Sequence, residues 1–212
     1  MKKRVLVVSA GLVHPSITAR RRLNAIIRGH DRVEPAITSR IGDLTRLSGE
    51  KFDAAVLYFH RRHISEPALF ALDRFVAGGG GLLAVHGASA SFKKSPRYFD
   101  ILGGRFVSHG RVEPYTVLRT GWADSAFTVT GPFTVTDELY IHNYRDDATI
   151  QYATQTKDGL EPVVWTRVYG KGRICYVSLG HAAAVLEDNA VRQIISDALS
   201  YILRLGREDN NG

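Results

Sequence analysis

Four short apolar runs constrain this chain more than any other feature: Val5-Leu6-Val7-Val8, Ala54-Ala55-Val56-Leu57-Tyr58-Phe59, Leu82-Leu83-Ala84-Val85 and Ile174-Cys175-Tyr176-Val177. None alternates apolar with polar residues, so each reads as a strand covered on both faces. Helix-length segments separate the first three, the pattern of a parallel sheet with helices packed on either side. A helix is expected over 16–28, stopped by Gly29, and a second over 66–77, capped by Ser65 with Pro67 in its first turn. Strand 33–38 carries Pro35, which lacks a ladder donor and points to a sheet edge.

Gly78-Gly79-Gly80-Gly81 follows a helix and feeds a strand, the reverse of a phosphate loop, so it reads as a cap and tight turn. A short helix over 98–102 closes on Gly103-Gly104. Beyond residue 112 the pattern changes to brief β-like runs at 115–119, 127–129, 150–156, 163–169 and 173–179, with Gly170-Lys171-Gly172 as a hairpin turn. A last helix over 189–205 places Val191, Ile194, Ile195, Ala198, Leu199 and Ile202 at helical spacing. These elements make one domain over 1–206, with 207–212 as a flexible tail.

With 212 residues, 44% of them hydrophobic, the chain can build one sizeable core. No apolar run approaches the ~20 residues of a membrane span, and Met1-Lys2-Lys3-Arg4 leads straight into the first strand, so a cytoplasmic location is expected. The only cysteine, Cys175, lies inside a strand, where an inert buried thiol is expected rather than a nucleophile. A net charge of +7 raises the question of nucleic acid. The basic residues are spread along the chain, however, and the densest run, Arg20-Arg21-Arg22, falls on a helix beside apolar Leu23, Ile26 and Ile27. A solvated helix face is the preferred reading, with attraction for an anionic small molecule as its alternative.

Six of the eight histidines stand at the end of an apolar run or in the loop just beyond: His14, His60, His63, His86, His109 and His181. The carboxyl ends of parallel strands line one edge of an open sheet, where ligands bind. Separate stretches of chain thus deliver imidazoles to one cleft. His30 and His142 lack that placement, and surface roles are expected for both.

The ordered motifs Gly79-Gly80-Gly81-Leu82-Leu83-Ala84-Val85-His86, Tyr98-Phe99-Asp100-Ile101-Leu102-Gly103-Gly104-Arg105-Phe106-Val107-Ser108-His109, Thr136-Asp137-Glu138-Leu139-Tyr140, Pro162-Val163-Val164-Trp165-Thr166-Arg167 and Ser178-Leu179-Gly180-His181 resemble the ThuA-like (trehalose utilization) family over nearly the whole chain. The resemblance implies a flavodoxin-like, class I glutamine amidotransferase-like three-layer sandwich, with a mostly parallel sheet and extra β-hairpins in the C-terminal half. Amidotransferases of that class place a cysteine nucleophile at a sharp strand-to-helix turn. The matching turn here is Val85-His86-Gly87, so glutaminase chemistry is not expected.

Neutral imidazole suits zinc and similar divalent ions, which lower the pKa of bound water or polarise a carbonyl. The expected metal ligands are a subset of His86, His181, His60, His63 and His14. Glu138, with His86, is the catalytic candidate as general base or metal ligand. Adjacent residues of an extended segment face opposite ways, which leaves Asp137 to order the loop. His109 and Tyr140 are expected to contact substrate. Trp122 is a candidate for stacking on a sugar face, whereas Trp165, in an alternating strand, belongs to the core.

Two departures stand out against the family pattern. Many relatives carry a His-Pro pair where this chain reads Trp122-Ala123-Asp124-Ser125-Ala126-Phe127, and the branch with His-x-x-His carries a further histidine where this chain has Ala88-Ser89-Ala90. The expected function is processing of a small-molecule carbohydrate, a disaccharide or keto-glycoside, by metal-dependent hydrolysis, elimination or isomerisation. The alternative is a noncatalytic carbohydrate-binding or regulatory domain. Homo-oligomer formation is left open.

Overall fold

The structure is a computed structural model that describes residues 1–12 and 15–206; His14 and the expected tail, 207–212, lie outside the described residues. In chain order the elements are β1 (Lys3–Ala10), α1 (Ile17–Arg28), β2 (Val33–Thr38), β3 (Ala54–Phe59), α2 (Glu66–Ala77), β4 (Gly81–Val85), α3 (Pro96–Leu102), β5 (Gly104–Arg119), β6 (Phe133–Tyr144), β7 (Thr149–Thr156), β8 (Gly159–Tyr169), β9 (Gly172–Val177) and α4 (Asn189–Ile202). The strands form one sheet in the order β2-β1-β3-β4-β9-β8-β7-β5-β6.

The apolar runs become adjacent strands whose alternate residues feed two cores. Val5, Val7, Val56 and Leu83 face α1 and α4, where Leu23, Ile27, Ile194 and Ile195 are fully buried. Leu6, Val8, Leu57 and Leu82 face α2 and α3, against Leu72, Val76, Tyr98 and Ile101. Continuous apolar runs are needed because both faces are dry. Strand β2 lies at one edge of the sheet, as Pro35 leads one to expect, and Ser16 caps α1 by accepting the Ala19 N–H at 3.2 Å.

The expectation of a mostly parallel sheet is corrected. Pairs β1/β2, β1/β3, β3/β4 and β4/β9 are parallel, but β9/β8, β8/β7, β7/β5 and β5/β6 are antiparallel and include the longest strands. Residues 127–129 form no strand; Phe127 packs into the core instead. The connection between β8 and β9 is the expected tight turn, with Gly170 at φ +59°.

Strands β5 and β6 form a ribbon whose ladder pairs with the rest of the sheet, among the described residues, are Leu118 with Ala153 and Arg119 with Tyr152. Register shifts between Phe106 and Ser108 and between His109 and Val112 bend it. The ribbon brings β6 side chains to the carboxyl ends of β4 and β9. These two strands are parallel neighbours, so the loops leaving them, which begin with His86 and Ser178, lie side by side.

Candidate functional site

Strand β4 runs directly into a sharp turn at His86, whose backbone φ is +47°. A non-glycine residue is rarely held there without support from its surroundings. That support is a buried hydrogen-bond network. The Tyr176 hydroxyl, on β9, donates to the His86 carbonyl at 2.9 Å and lies 2.8 Å from the Ser89 hydroxyl. His142 Nε2 approaches the same Ser89 Oγ at 3.1 Å.

His86 itself is fully buried. Its Nδ1 lies 2.7 Å from the Ser178 carbonyl. A carbonyl only accepts, so Nδ1 carries a proton toward it, and Nε2 faces the other way. That atom is 3.6 Å from Glu138 Oε2. Glu138 Oε2 is also 3.1 Å from His181 Nδ1, while Glu138 Oε1 is 3.7 Å from His109 Nδ1. One carboxylate therefore meets three imidazoles. Among the described residues, His86, Glu138 and His181 offer ligand atoms that all lie within 4.8 Å of one another.

Electrostatics follow from this arrangement. The hydrogen bond to His86 chiefly, against a partial burial penalty and with His181 and His109 nearby, holds the Glu138 carboxyl down at about 2. Asp137, one residue earlier, points the other way and is fully buried. Its Oδ2 accepts the Gly180 N–H at 2.8 Å, and its Oδ1 accepts the N–H groups of Glu138 at 2.9 Å and His181 at 3.3 Å. Burial raises its pKa, opposed by these donors and the neighbouring imidazoles. Glu138 thus faces the imidazoles, while Asp137 holds the backbone of the loop that carries His181.

Tyr140 is buried against the site, with its ring centroid 4.3 Å from that of His86 and stacked on His109 at 5.7 Å. Burial chiefly, and then the Glu138 and Asp137 charges, push its hydroxyl pKa up, so it stays protonated as a hydrogen-bonding group. His60 and His63 are exposed beside β3 and fall outside the three-residue cluster. Trp165 is wholly buried, whereas Trp122 is 62% exposed.

His142 corrects the expectation of a surface role. It lies within the protein, with its ring 5.0 Å from Trp165 and its Nδ1 3.4 Å from Glu161 Oε1. His30 is only partly buried and reaches Ser200 at 3.2 Å. Sequence reasoning missed the network of Ser89, His142, Glu161 and Tyr176. The sole available signal was the run of alternating residues 138–142, which puts Glu138, Tyr140 and His142 on one side of an extended segment.

Comparison with known proteins agrees with the architecture. A family model described as ThuA, trehalose utilisation, matches residues 4–202. A ThuA-like protein from Parabacteroides merdae superposes with a TM-score of 0.82 at 17% identity, covering 96% of this chain and 90% of that one. One from Bacteroides uniformis gives 0.79 at 14% identity, with 94% and 91% covered. A β-galactosidase from Rahnella gives 0.66 at 16% identity and covers 98% of this chain, but this chain spans only 32% of that enzyme. No curated protein matches the sequence.

Proposed function

Because the chain belongs to the ThuA, trehalose utilisation, family, we propose that it is a carbohydrate-processing enzyme whose site is the strand-end cluster of His86, Glu138, His181 and His109. The observation that carries this reading is the convergence of three imidazoles on one ionised carboxylate at the edge where α/β sheets bind ligands. The parallel order β2-β1-β3-β4 and the positive φ at His86 support kinship with the flavodoxin-like, class I glutamine amidotransferase-like folds. Against glutaminase chemistry stand the histidine at that turn and the depth of Cys175 inside β9, where burial pushes its thiol pKa up.

The donor set fits a divalent cation. His86 Nε2 at 3.6 Å and His181 Nδ1 at 3.1 Å both face Glu138 Oε2, so two ring nitrogens and one carboxylate oxygen converge on one point. His86, Glu138 and His181 would hold the ion, and two imidazoles with one carboxylate suit zinc or iron(II). Such an ion supplies Lewis acidity toward a sugar carbonyl or acidifies water.

The remaining work belongs to the protein. With its pKa near 2, Glu138 keeps its charge at neutral pH and is a weak proton acceptor, so it serves to fix cationic partners. His109 is the accessible ring. Its Nδ1 donates to the Gly110 carbonyl at 2.7 Å, which leaves Nε2 to accept a proton from a sugar hydroxyl or from a carbon beside a ketone. Tyr140 orients the substrate. A keto-glycoside or disaccharide is the substrate class, through hydrolysis, elimination or isomerisation.

Metal analysis of untagged protein, followed by turnover of a keto-glycoside by wild type, His86→Ala and Glu138→Ala, tests the reading. Bound metal and turnover lost in both variants support it. Tight sugar binding without metal or turnover would establish the second reading, a noncatalytic sugar-binding module. That reading draws on the occurrence of the same fold within a longer β-galactosidase.

A further inference from the structure

Beside the histidine cluster lies a cavity of about 460 Å³ lined by His60, Arg61, Arg62, His63, Lys93, Lys94 and Ala90, with no carboxylate in its wall. That volume falls in the range of small-molecule sites, roughly 300–1,000 Å³. Some guanidinium groups elsewhere meet acids, such as Arg97 with Asp73, Arg46 with Glu50, Arg167 with Asp147 and Arg22 with Glu187. No ion pair among the described residues engages Arg61, Arg62, Lys93 or Lys94. Four like charges gathered around one concavity repel one another and focus a positive potential into it.

Phe106 links the wall of the cavity to the proposed site. The Lys93 ammonium stands over the Phe106 ring at 5.4 Å, and Phe106 packs against both Tyr140, at 4.5 Å, and His109, at 5.8 Å. His60, at the end of β3, feels burial first and then the charges of Lys93, His86, Arg61 and Arg62, all of which lower its pKa. The backbone around the cavity is fixed: the Arg61 N–H donates to Ser91 Oγ at 3.0 Å, and the Phe92 N–H donates to the Arg61 carbonyl at 2.8 Å.

We infer that this cavity is an anion subsite, and that the sugar processed at the histidine cluster carries an oxyanion, a phosphate or a carboxylate, held by Arg62 and Lys93 with Arg61 and Lys94 around it. The assignment of a charged sugar rests on the function proposed above; the subsite itself rests on the cavity and the four cations around it. Guanidinium and ammonium groups together suit the planar and tetrahedral faces of such groups.

Calorimetric titration of the full chain with glucose, glucose 6-phosphate, glucuronate and inorganic phosphate, at low and physiological salt, tests it. The charged sugars should bind roughly tenfold or more tightly than glucose, and the advantage should shrink with salt. The exposed pair Arg62→Gln/Lys93→Gln should abolish the advantage, while His86→Ala should keep it. A preference for glucose 6-phosphate alone assigns a phosphate; equal binding of glucuronate assigns an oxyanion of either kind. Charged sugars no better than glucose, or an advantage surviving the double variant, overturn the subsite. The two proposals fail separately: turnover of a neutral keto-glycoside without charge preference removes the subsite alone, and charge-selective binding without any turnover removes the enzyme alone.

Discussion

Asp137 and Gly180 are 43 residues apart, yet the Asp137 Oδ2 accepts the Gly180 backbone N–H at 2.8 Å inside the protein. Through that bond the β5/β6 ribbon grips the loop after β9, and Tyr58 tightens the grip by donating its hydroxyl to the Gly180 carbonyl at 2.5 Å. Replacing Asp137 by Asn puts an amide donor where a carboxylate oxygen now faces a donor. The variant should lose about 1.5–3 kcal/mol of stability, the range for a buried charge-assisted hydrogen bond, and should lose metal affinity because His181 is no longer held beside Glu138. Urea unfolding checks the first part. A variant with wild-type midpoint and wild-type metal binding would remove the gripping role.

Gly103 closes α3 at φ +77°, in the left-handed region, and a methyl group there would run into the Arg167 side chain. Arg167 cannot move aside cheaply, because its Nη1 donates to the Ile101 carbonyl at 2.8 Å and its Nη2 to Asp147 at 2.7 Å. Gly103→Ala should cost at least about 1–2 kcal/mol from backbone strain alone, with the steric displacement added. Thermal unfolding reads this directly, and an unchanged midpoint would show that the segment relaxes freely.

Those glycines also show what the sequence makes legible. Apolar runs such as Val5 to Val8 disclose strands because burial on two faces leaves no room for polar residues. Gly103-Gly104 discloses a helix end because glycine takes that φ without steric cost and lets Trp165 approach. Strand β5 is different. Most of its residues from Arg105 to Pro114 are exposed, and two register shifts interrupt it, so neither apolar continuity nor strict alternation survives to be read. The same ribbon supplies Glu138, Tyr140 and His142. His142 was misread because its burial comes from Trp165, Tyr176 and Ser89, contributed by β8, β9 and the turn after β4, and no local pattern reports such packing. Glu138 and Asp137 were separable since the period of two along an extended segment is local.

If His86, Glu138 and His181 hold a divalent ion, ligand binding must appear as stability. Zinc, manganese or iron(II) at about 100 times its dissociation constant should add roughly 2.7 kcal/mol to unfolding, and a chelator should remove it. Glu138→Ala should abolish the response while leaving the metal-free protein folded, since Glu138 lies in the cleft rather than the core. Urea midpoints with and without metal decide the matter; an equal response in the variant would place the ion elsewhere.

His142 sets an acid limit on the fold. Burial lowers its pKa more than the opposing Glu161 raises it, so the folded protein holds the ring neutral while the unfolded chain protonates it near the ordinary value of 6.5. Between the folded and unfolded values the unfolded state binds more protons, and stability therefore rises with pH. The contribution is fully present above about pH 6.5 and is lost as pH falls toward the folded pKa, at up to about 1.4 kcal/mol per pH unit for one group. His30 and His60 are also lowered chiefly by burial and add to the same trend, so the informative quantity is a difference. His142→Gln keeps a polar group for Ser89 and removes the titration. Its unfolding free energy should fall less steeply than wild type between pH 7.5 and 5.5, and parallel slopes for the two proteins would show that His142 is not the group being protonated.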